Sequence, residues 1–311
     1  MKFDNKFIFV IVGAIILYAI FLLLSDISLI LSKIPNFKTE YLPIILVLIP
    51  FSWLFLFLRW NLLLKNSNIK IPLKENLKIY FAGFALAVTP GKFGELIKSQ
   101  IMKTKFDVPH RTTSSLVLVE RLYDLAGAVI VSFIGILLIG IGGYVIAGAS
   151  IILILIFVMI SSRKLFHTIL KLIGKIKFTQ KYTVSLSESY ETIRTSTRGK
   201  IAFTSIFTTS VYWLLESLGV YFILLSFDID LLNYIHVVAT YTSSLILGAA
   251  SFIPGGLGVV EGSLVGLLNF QGVDISEAFV LVILIRIFTL WYSVIIGFIA
   301  LKFSGGLSTK S

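Results

Sequence analysis

Thr89-Pro90-Gly91-Lys92-Phe93-Gly94-Glu95 and Ile253-Pro254-Gly255-Gly256-Leu257-Gly258-Val259-Val260-Glu261 are two versions of one motif, Pro-Gly-x-x-Gly with a glutamate close behind. Proline removes a helical hydrogen bond, and glycine turns the chain through left-handed conformations, so each copy must break a helix. Each break leads into an apolar helix that carries an arginine. Pro90 to Arg121 is 31 residues and Pro254 to Arg286 is 32. With one added residue between Gly258 and Val273, Pro90, Gly91, Gly94, Val108 and Arg121 align with Pro254, Gly255, Gly258, Val273 and Arg286. Matched broken helices and charges in two halves of a membrane chain mark the binding site of a transporter.

The surroundings of the motifs place them in a membrane. Of 311 residues, 57% are hydrophobic and 14% charged, against about 25% charged in a soluble domain. Apolar runs of the roughly 20 residues needed to cross a bilayer recur along the chain. Six full spans are predicted at about 7–24, 41–64, 113–139, 143–160, 201–226 and 276–302. The run from Phe7 to Leu24 follows Lys2 and Lys6 as in a signal peptide. It is too long for a typical signal core and ends at Ser25-Asp26 without a small-x-small site, so it reads as an uncleaved span. The stretches 76–100 and 236–270 hold the motifs and read as re-entrant helical hairpins; two more spans kinked at proline are the alternative. Irregular backbone at membrane depth must face protein or water.

The expected fold is thus an all-α polytopic membrane protein, a single domain over 1–311 with no separate soluble domain. Its halves run about 41–160 and 201–303, joined by a basic connector at 161–200. Within the connector, Leu165, Phe166, Ile169, Leu170, Leu172, Ile173 and Ile176 recur at helical spacing opposite Lys164, Lys171 and Lys175, the pattern of an interfacial amphipathic helix. The glycines of 113–160, Gly127 and Gly148 among them, suit close helix packing.

Net charge is +11. Because the basic residues sit in loops, the positive-inside rule accounts for them better than nucleic acid does. Segments 65–112 and 161–200 carry net +6 and +7, and segments 25–40 and 227–235 carry 0 and −2. The first two are expected to be cytoplasmic and the last two external, with both termini inside a cell membrane. The motif hairpins then enter from opposite faces, as an inverted repeat. Cys is absent, and His110, His167 and His236 lie far apart. Neither a metal site nor a thiol nucleophile is expected, and no cofactor.

Ionisable residues within spans are costly and mark candidate sites. Here they are Glu120, Arg121 and Asp124 in the third span, Glu216 beside Trp213, and Arg286 near Trp291. The hairpins add Lys92, Glu95, Lys98 and Glu261. Arg121 can pair with Asp124 three residues on. The alternative role for all of them is to hold the bundle together. Arg59, beside Trp60 at the end of its span, reads as snorkelling to the headgroups. The helix starts after the turns at Pro90, Gly91, Gly94 and Pro254, Gly255, Gly256, Gly258 offer backbone N–H donors and positive dipole ends to an anion. Lys92, Arg121 and Arg286 add charge suited to phosphate.

The segments TPGKFGELIKS, SSLVLVERLYDLAG, IPGGLGVVEGSLVGLL and VLVILIRIFTLWYSVIIG resemble the lysylphosphatidylglycerol synthase transmembrane region, a flippase-like family. The resemblance covers roughly residues 5–303. It implies a lipid-translocase-like domain. In the larger synthases such a domain precedes a soluble aminoacyl-transferase domain; this chain stops at Ser311, so lipid aminoacylation is not expected. Related domains occur beside polyprenyl-phosphate glycosyltransferases, so a polyprenyl phosphate is as plausible a cargo as an anionic phospholipid.

Three functions follow. The first is a flippase or scramblase-like translocator that is not an enzyme, with membrane lipids as partners and no nucleic acid. The chain lacks a Gly-x-x-x-x-Gly-Lys-Ser/Thr loop, leaving passive exchange or proton coupling through Glu120, Asp124, Glu216 or Glu261. The second is an accessory protein for a lipid-modifying enzyme or glycosyltransferase. The third is an intramembrane enzyme acting on a lipid phosphate through a carboxylate base.

Overall fold

The structure is a computed structural model that describes residues 33–139, 143–175, 183 and 186–305. The expected first span, 7–24, and both termini lie outside the described residues. Helix is the only regular structure among those described. In chain order the helices are α1 Leu42–Asn66, α2 Leu73–Ala82, α3 Ile97–Phe106, α4 His110–Ile139, α5 Gly143–Ser161, α6 Arg163–Ile173, α7 Tyr190–Ser196, α8 Gly199–Leu225, α9 Tyr234–Ala250, α10 Val259–Phe270 and α11 Ile275–Phe303. Among the described residues α1, α8 and α11 are each long and apolar enough to cross a membrane. α5 and α6 together make a fourth candidate, bent by 110°. α4 is longer still, at 30 residues.

These helices are apolar outside and bury their charged residues within an apolar core. On α1, Ile45, Ile49, Ser52, Trp53, Arg59 and Trp60 are buried, whereas Val47, Phe51 and Leu58 are exposed. α5 exposes Ile151, Ile152, Ile154 and Leu155, and α8 exposes Phe203 and Phe207. Water would penalise so large an apolar surface, but lipid accepts it. The interior, by contrast, encloses Arg59, Glu95, Lys98, Glu120, Glu216, Glu261 and Arg286.

Two local features keep the long helices intact. Pro50 lies inside α1 and cannot donate to the Leu46 carbonyl; the Tyr292 hydroxyl donates to that oxygen instead, at 3.4 Å. α11 passes through a π-helical turn at Ile287–Trp291, immediately after Arg286. Such bulges concentrate at functional sites.

Both motif stretches form hairpins that return to the end from which they started. α2 and α3 flank the first break, and Lys105 near the end of α3 reaches Glu75 at the start of α2, 3.3 Å away. α9 and α10 flank the second, and Gln271 just past α10 donates to Thr240 Oγ1 in α9 at 2.7 Å. The tips meet. Ala87 and Val88 of the first pack with Leu257 and Ile253 of the second, over Leu290 and Val294 of α11.

The loops sort to two ends as their charges predict. Lys38, from a segment expected to be external, pairs with Asp228 of the other such segment, and Lys33 reaches Glu277 at the head of α11. Arg111 and Glu188, from the two strongly basic segments, pair with each other. The hairpin bases therefore lie at opposite ends, the first with the basic loops and the second with Asp228 and Glu277.

α6 departs from its expected stripe. Ser162 caps it and turns it away from α5. Phe166 and Leu170 are buried, with Phe166 stacked 4.7 Å from Tyr190. Leu165, Leu172 and Ile173 remain exposed. The stripe is shared between the protein and the surroundings because Tyr190 of α7 covers half of it. Ile176 is outside the described residues.

Candidate functional site

Six charges form a closed ring. Glu95 and Lys98 stand three residues apart where the first break runs into α3, so they share a face. Lys98 Nζ donates to Glu95 Oε2 at 3.0 Å and to Glu120 Oε2 at 2.6 Å. Arg121 Nη2 donates to Glu95 Oε2 at 3.1 Å, and its Nη1 lies 3.0 Å from Asp124 Oδ2. Arg59 on α1 closes the circuit, with Nη1 2.7 Å from Asp124 Oδ1 and Nη2 3.5 Å from Glu120 Oε1. Signs alternate around the ring, so it is neutral as a whole. That neutrality is what allows six ionised groups in the interior, where an unpaired charge is costly.

The ring has a sealed side and an open side. The side chains of Arg59, Lys98 and Glu120 are 0% exposed, while Arg121 is 20% and Asp124 15% exposed. On the sealed side the Lys98 ammonium also lies over the rings of Trp60, at 4.6 Å, and Tyr80, at 4.8 Å. Trp60 is fixed by donating to Asn76 Oδ1 at 3.0 Å. Lys98 is thus saturated by two carboxylates and two aromatic faces. Arg59 adds a hydrogen bond to Thr209 Oγ1 of α8 at 2.7 Å. Buried guanidinium nitrogens without a hydrogen-bond partner occur on both sides, Nε and Nη2 in Arg59 and Nε and Nη1 in Arg121, so the Arg121 contact with Asp124 lacks hydrogen-bond alignment.

The second motif makes a simpler version of the same chemistry. Arg286 Nε lies 2.7 Å from Glu261 Oε1, and its Nη2 donates to the Gly255 carbonyl at 2.6 Å. Glu261 Oε2 accepts the Gly258 N–H at 2.7 Å. In both halves the glutamate after the Pro-Gly turn pairs with the arginine of the next long helix. His110 to Arg121 and Ile275 to Arg286 are equal intervals from the starts of α4 and α11.

Glu216 belongs to neither group. It is 3% exposed and accepts hydrogen bonds from the Tyr212 hydroxyl at 2.8 Å and the Tyr241 hydroxyl at 3.1 Å. Among the described residues no cation pairs with it. Trp213, beside it on α8, donates to the Asp124 backbone carbonyl at 2.9 Å, which ties this pocket to the ring. Lys92 also stands apart. It occupies the left-handed region, with φ 56° and ψ 25°, at the tip of the first hairpin, and forms no ion pair among the described residues.

The sequence-predicted residues are thus divided. Glu95, Lys98, Glu120, Arg121 and Asp124 converge; Glu261 and Arg286 form a separate pair; Lys92 and Glu216 belong to neither and have no ionic partner among the described residues. Two expectations need correction. Arg59 does not snorkel; it is buried and completes the ring. The backbone donors expected to be free at the turns are partly taken, since Gly94 N–H donates to Thr89 Oγ1 at 2.6 Å and Gly258 N–H to Glu261. A buried N–H without a partner would be penalised, so the chain supplies one. Arg59 had a signal in the sequence: Glu95, Lys98, Glu120, Arg121 and Asp124 sum to −1, which calls for one more cation. Tyr212 and Tyr241 gave none. Among the described residues no group of three or more His, Cys, Asp or Glu could hold a metal ion.

Comparison with known proteins agrees with this architecture. A UPF0104 membrane protein of Methanocaldococcus jannaschii is 28% identical over 220 residues, covering 69% of this chain and 91% of its own. A UPF0104 membrane protein of Pyrococcus horikoshii is 24% identical over 271 residues, covering 77% of this chain and 79% of its own. The profile of the lysylphosphatidylglycerol synthase TM region matches residues 10–297. With its apolar helices and twin Pro-Gly hairpins, this chain belongs to the lysylphosphatidylglycerol synthase transmembrane-region family.

Proposed function

We propose that the protein translocates an anionic lipid, a phospholipid or a polyprenyl phosphate, across the cell membrane without chemical change. The observation that carries this is the open edge of the ring. Arg121, the most exposed cation of the ring, is bound to Glu95 of the first break, whose tip carries Lys92 and packs against the tip of the second hairpin. A phosphate can take two donors from an arginine in one plane and a third from a lysine. Asp124 and Glu95 hold Arg121 when no anion is present, so binding exchanges one set of anionic partners for another and leaves no cation bare. The lipid tails stay in hydrocarbon because the exposed helix faces are apolar.

The ring carboxylates are each engaged by two cations, which disfavours a free general base and hence a lipid-phosphate enzyme. We place the basic loops 65–112 and 161–200 in the cytoplasm by the positive-inside rule. The test uses purified protein in vesicles with a fluorescent lipid quenched from outside only. Exchange between leaflets faster than in empty vesicles, and at least tenfold slower for Arg121→Ala, is expected. No acceleration with either phosphatidylglycerol or a short polyprenyl phosphate would sink the proposal.

A further inference from the structure

The connector helix α6 presents three different faces. Phe166 and Leu170, four residues apart, turn toward the protein. Both are buried, Tyr190 of α7 stacks on Phe166, and the Ser187 hydroxyl lies 3.1 Å from His167 Nδ1. Leu165, Ile169, Leu172 and Ile173 recur at i, i+4, i+7 and i+8 and make a second, apolar face. Ile169 is half-buried, whereas Leu165, Leu172 and Ile173 are exposed. Lys164 and Lys171, seven residues apart, make the third face, and Lys175 extends it into the turn that follows. At 3.6 residues per turn the lysine row runs along the helix roughly a third of a turn from the apolar row. All three lysines are exposed, and none has an ion pair among the described residues. The neighbouring carboxylates are taken by arginines: Glu188 pairs with Arg111, and Glu191 with Arg163 and Arg194.

The setting of α6 says what covers the two remaining faces. α5 has 19 residues, enough to cross about 28 Å without help from α6. It exposes Ile151, Ile152, Ile154, Leu155 and Val158. α6 leaves it at 110°, so it runs along the membrane surface rather than through it. Arg198, at the start of α8, holds the corner by donating from Nη2 to the Ser161 carbonyl at 2.6 Å. The corner therefore lies at the end of the basic loops. We propose that α6 is an anionic-lipid site distinct from the charge ring: its apolar face enters the leaflet at the basic-loop end, and the row Lys164, Lys171 and Lys175 binds net-anionic headgroups there. Water would penalise Leu165, Leu172 and Ile173. A leaflet of net-neutral lipid would accept them but leave the lysines without counter-charge. An anionic leaflet satisfies both faces, because the lysine stems lie along the acyl boundary while their ammonium groups reach the headgroups. The site needs no movement of lipid, so it stands apart from translocation.

The experiment asks which lipid lies against α6. The chain has no Cys, so Leu172→Cys in the full chain gives one site for a bimane fluorophore, at a position 57% exposed. The labelled protein is placed in vesicles of equimolar phosphatidylcholine and phosphatidylglycerol, with brominated acyl chains on one lipid or on the other. Bromine quenches only at close range. Brominated phosphatidylglycerol should quench at least twofold more than brominated phosphatidylcholine. The preference should vanish when Lys164, Lys171 and Lys175 are all changed to Gln, while quenching by both lipids persists. It should also vanish in wild-type background at about 1 M salt, where charges are screened within about 3 Å. A bimane at Val47→Cys, on the exposed apolar side of α1, should be quenched equally by the two lipids. Equal quenching at Leu172→Cys would overturn the proposal, because the helix would then lie in the interface without choosing its lipid. Quenching by neither lipid would overturn it as well, since water or a protein partner would then cover this face. A preference that survives both the triple Gln variant and high salt would remove the lysine row from the site. None of these outcomes bears on lipid exchange through the ring.

Discussion

At the scale of single residues, Arg59 and Arg121 make opposite contributions to one ring. Arg59 is fully buried and bridges Asp124 and Glu120, so its removal opens the ring and leaves it with one uncompensated negative charge in the interior. Arg59→Ala should cost about 3–5 kcal/mol of stability, read as a large fall in the thermal unfolding midpoint in detergent. Arg121 lies at the open edge. Arg121→Ala should lower that midpoint less, because water can reach Asp124, one of the two partners it leaves, and should reduce lipid exchange more. A larger stability loss for Arg121→Ala than for Arg59→Ala would show that the open edge is misassigned. Lys92 separates stability from function in another way. Its left-handed backbone is strained by about 1–2 kcal/mol for a side chain that glycine would not carry. Lys92→Gly should therefore raise the unfolding midpoint while slowing lipid exchange at least tenfold.

At the scale of elements, each hairpin is held by a close approach that sequence pattern does not reveal. The first hairpin rests on α11 at Gly297, where an added Cβ would stand 2.1 Å from Ala85 N and 2.5 Å from the Phe84 carbonyl carbon. Both are backbone atoms and cannot move aside cheaply. Gly297→Ala should destabilise the fold by at least about 1–3 kcal/mol, while Gly262→Ala, with open space around it, should be near neutral. Equal unfolding midpoints for the two variants would contradict this contact. The π-helical turn after Arg286 belongs to the same assembly, since α11 must both pin the second tip through Arg286 and admit the first at Gly297. The helices themselves were readable: the spans at 41–64, 113–139, 201–226 and 276–302 correspond to α1, α4, α8 and α11. Proline and glycine fixed where the broken ones part.

At the scale of the whole molecule, the two hairpins start from opposite ends and touch at their tips. Charge alone predicted this opposition, and the contacts Lys38–Asp228, Lys33–Glu277 and Arg111–Glu188 sort the loops the same way. The absence of Cys makes a direct measurement simple. Single cysteines at Lys103 and Ile275, both exposed, should react with a membrane-impermeant maleimide from opposite sides of a sealed vesicle. Labelling of both from one side would refute the opposed arrangement.

The amino-acid sequence by itself determined the class of fold, the places where helices break, and the charges that had to be buried. Apolar runs, proline and glycine act locally, so they are legible without knowing what lies nearby. Which charges meet was decided only by the tertiary structure. Arg59 comes from a helix remote in sequence from Glu120 and Asp124, and nothing local distinguishes it from a residue reaching for headgroups. Glu216 looked like the other interior carboxylates until packing gave it tyrosines in place of a cation. The reason is physical: a buried charge is stabilised by whatever stands within a few ångströms, and only the packing of α1, α4 and α8 sets those neighbours.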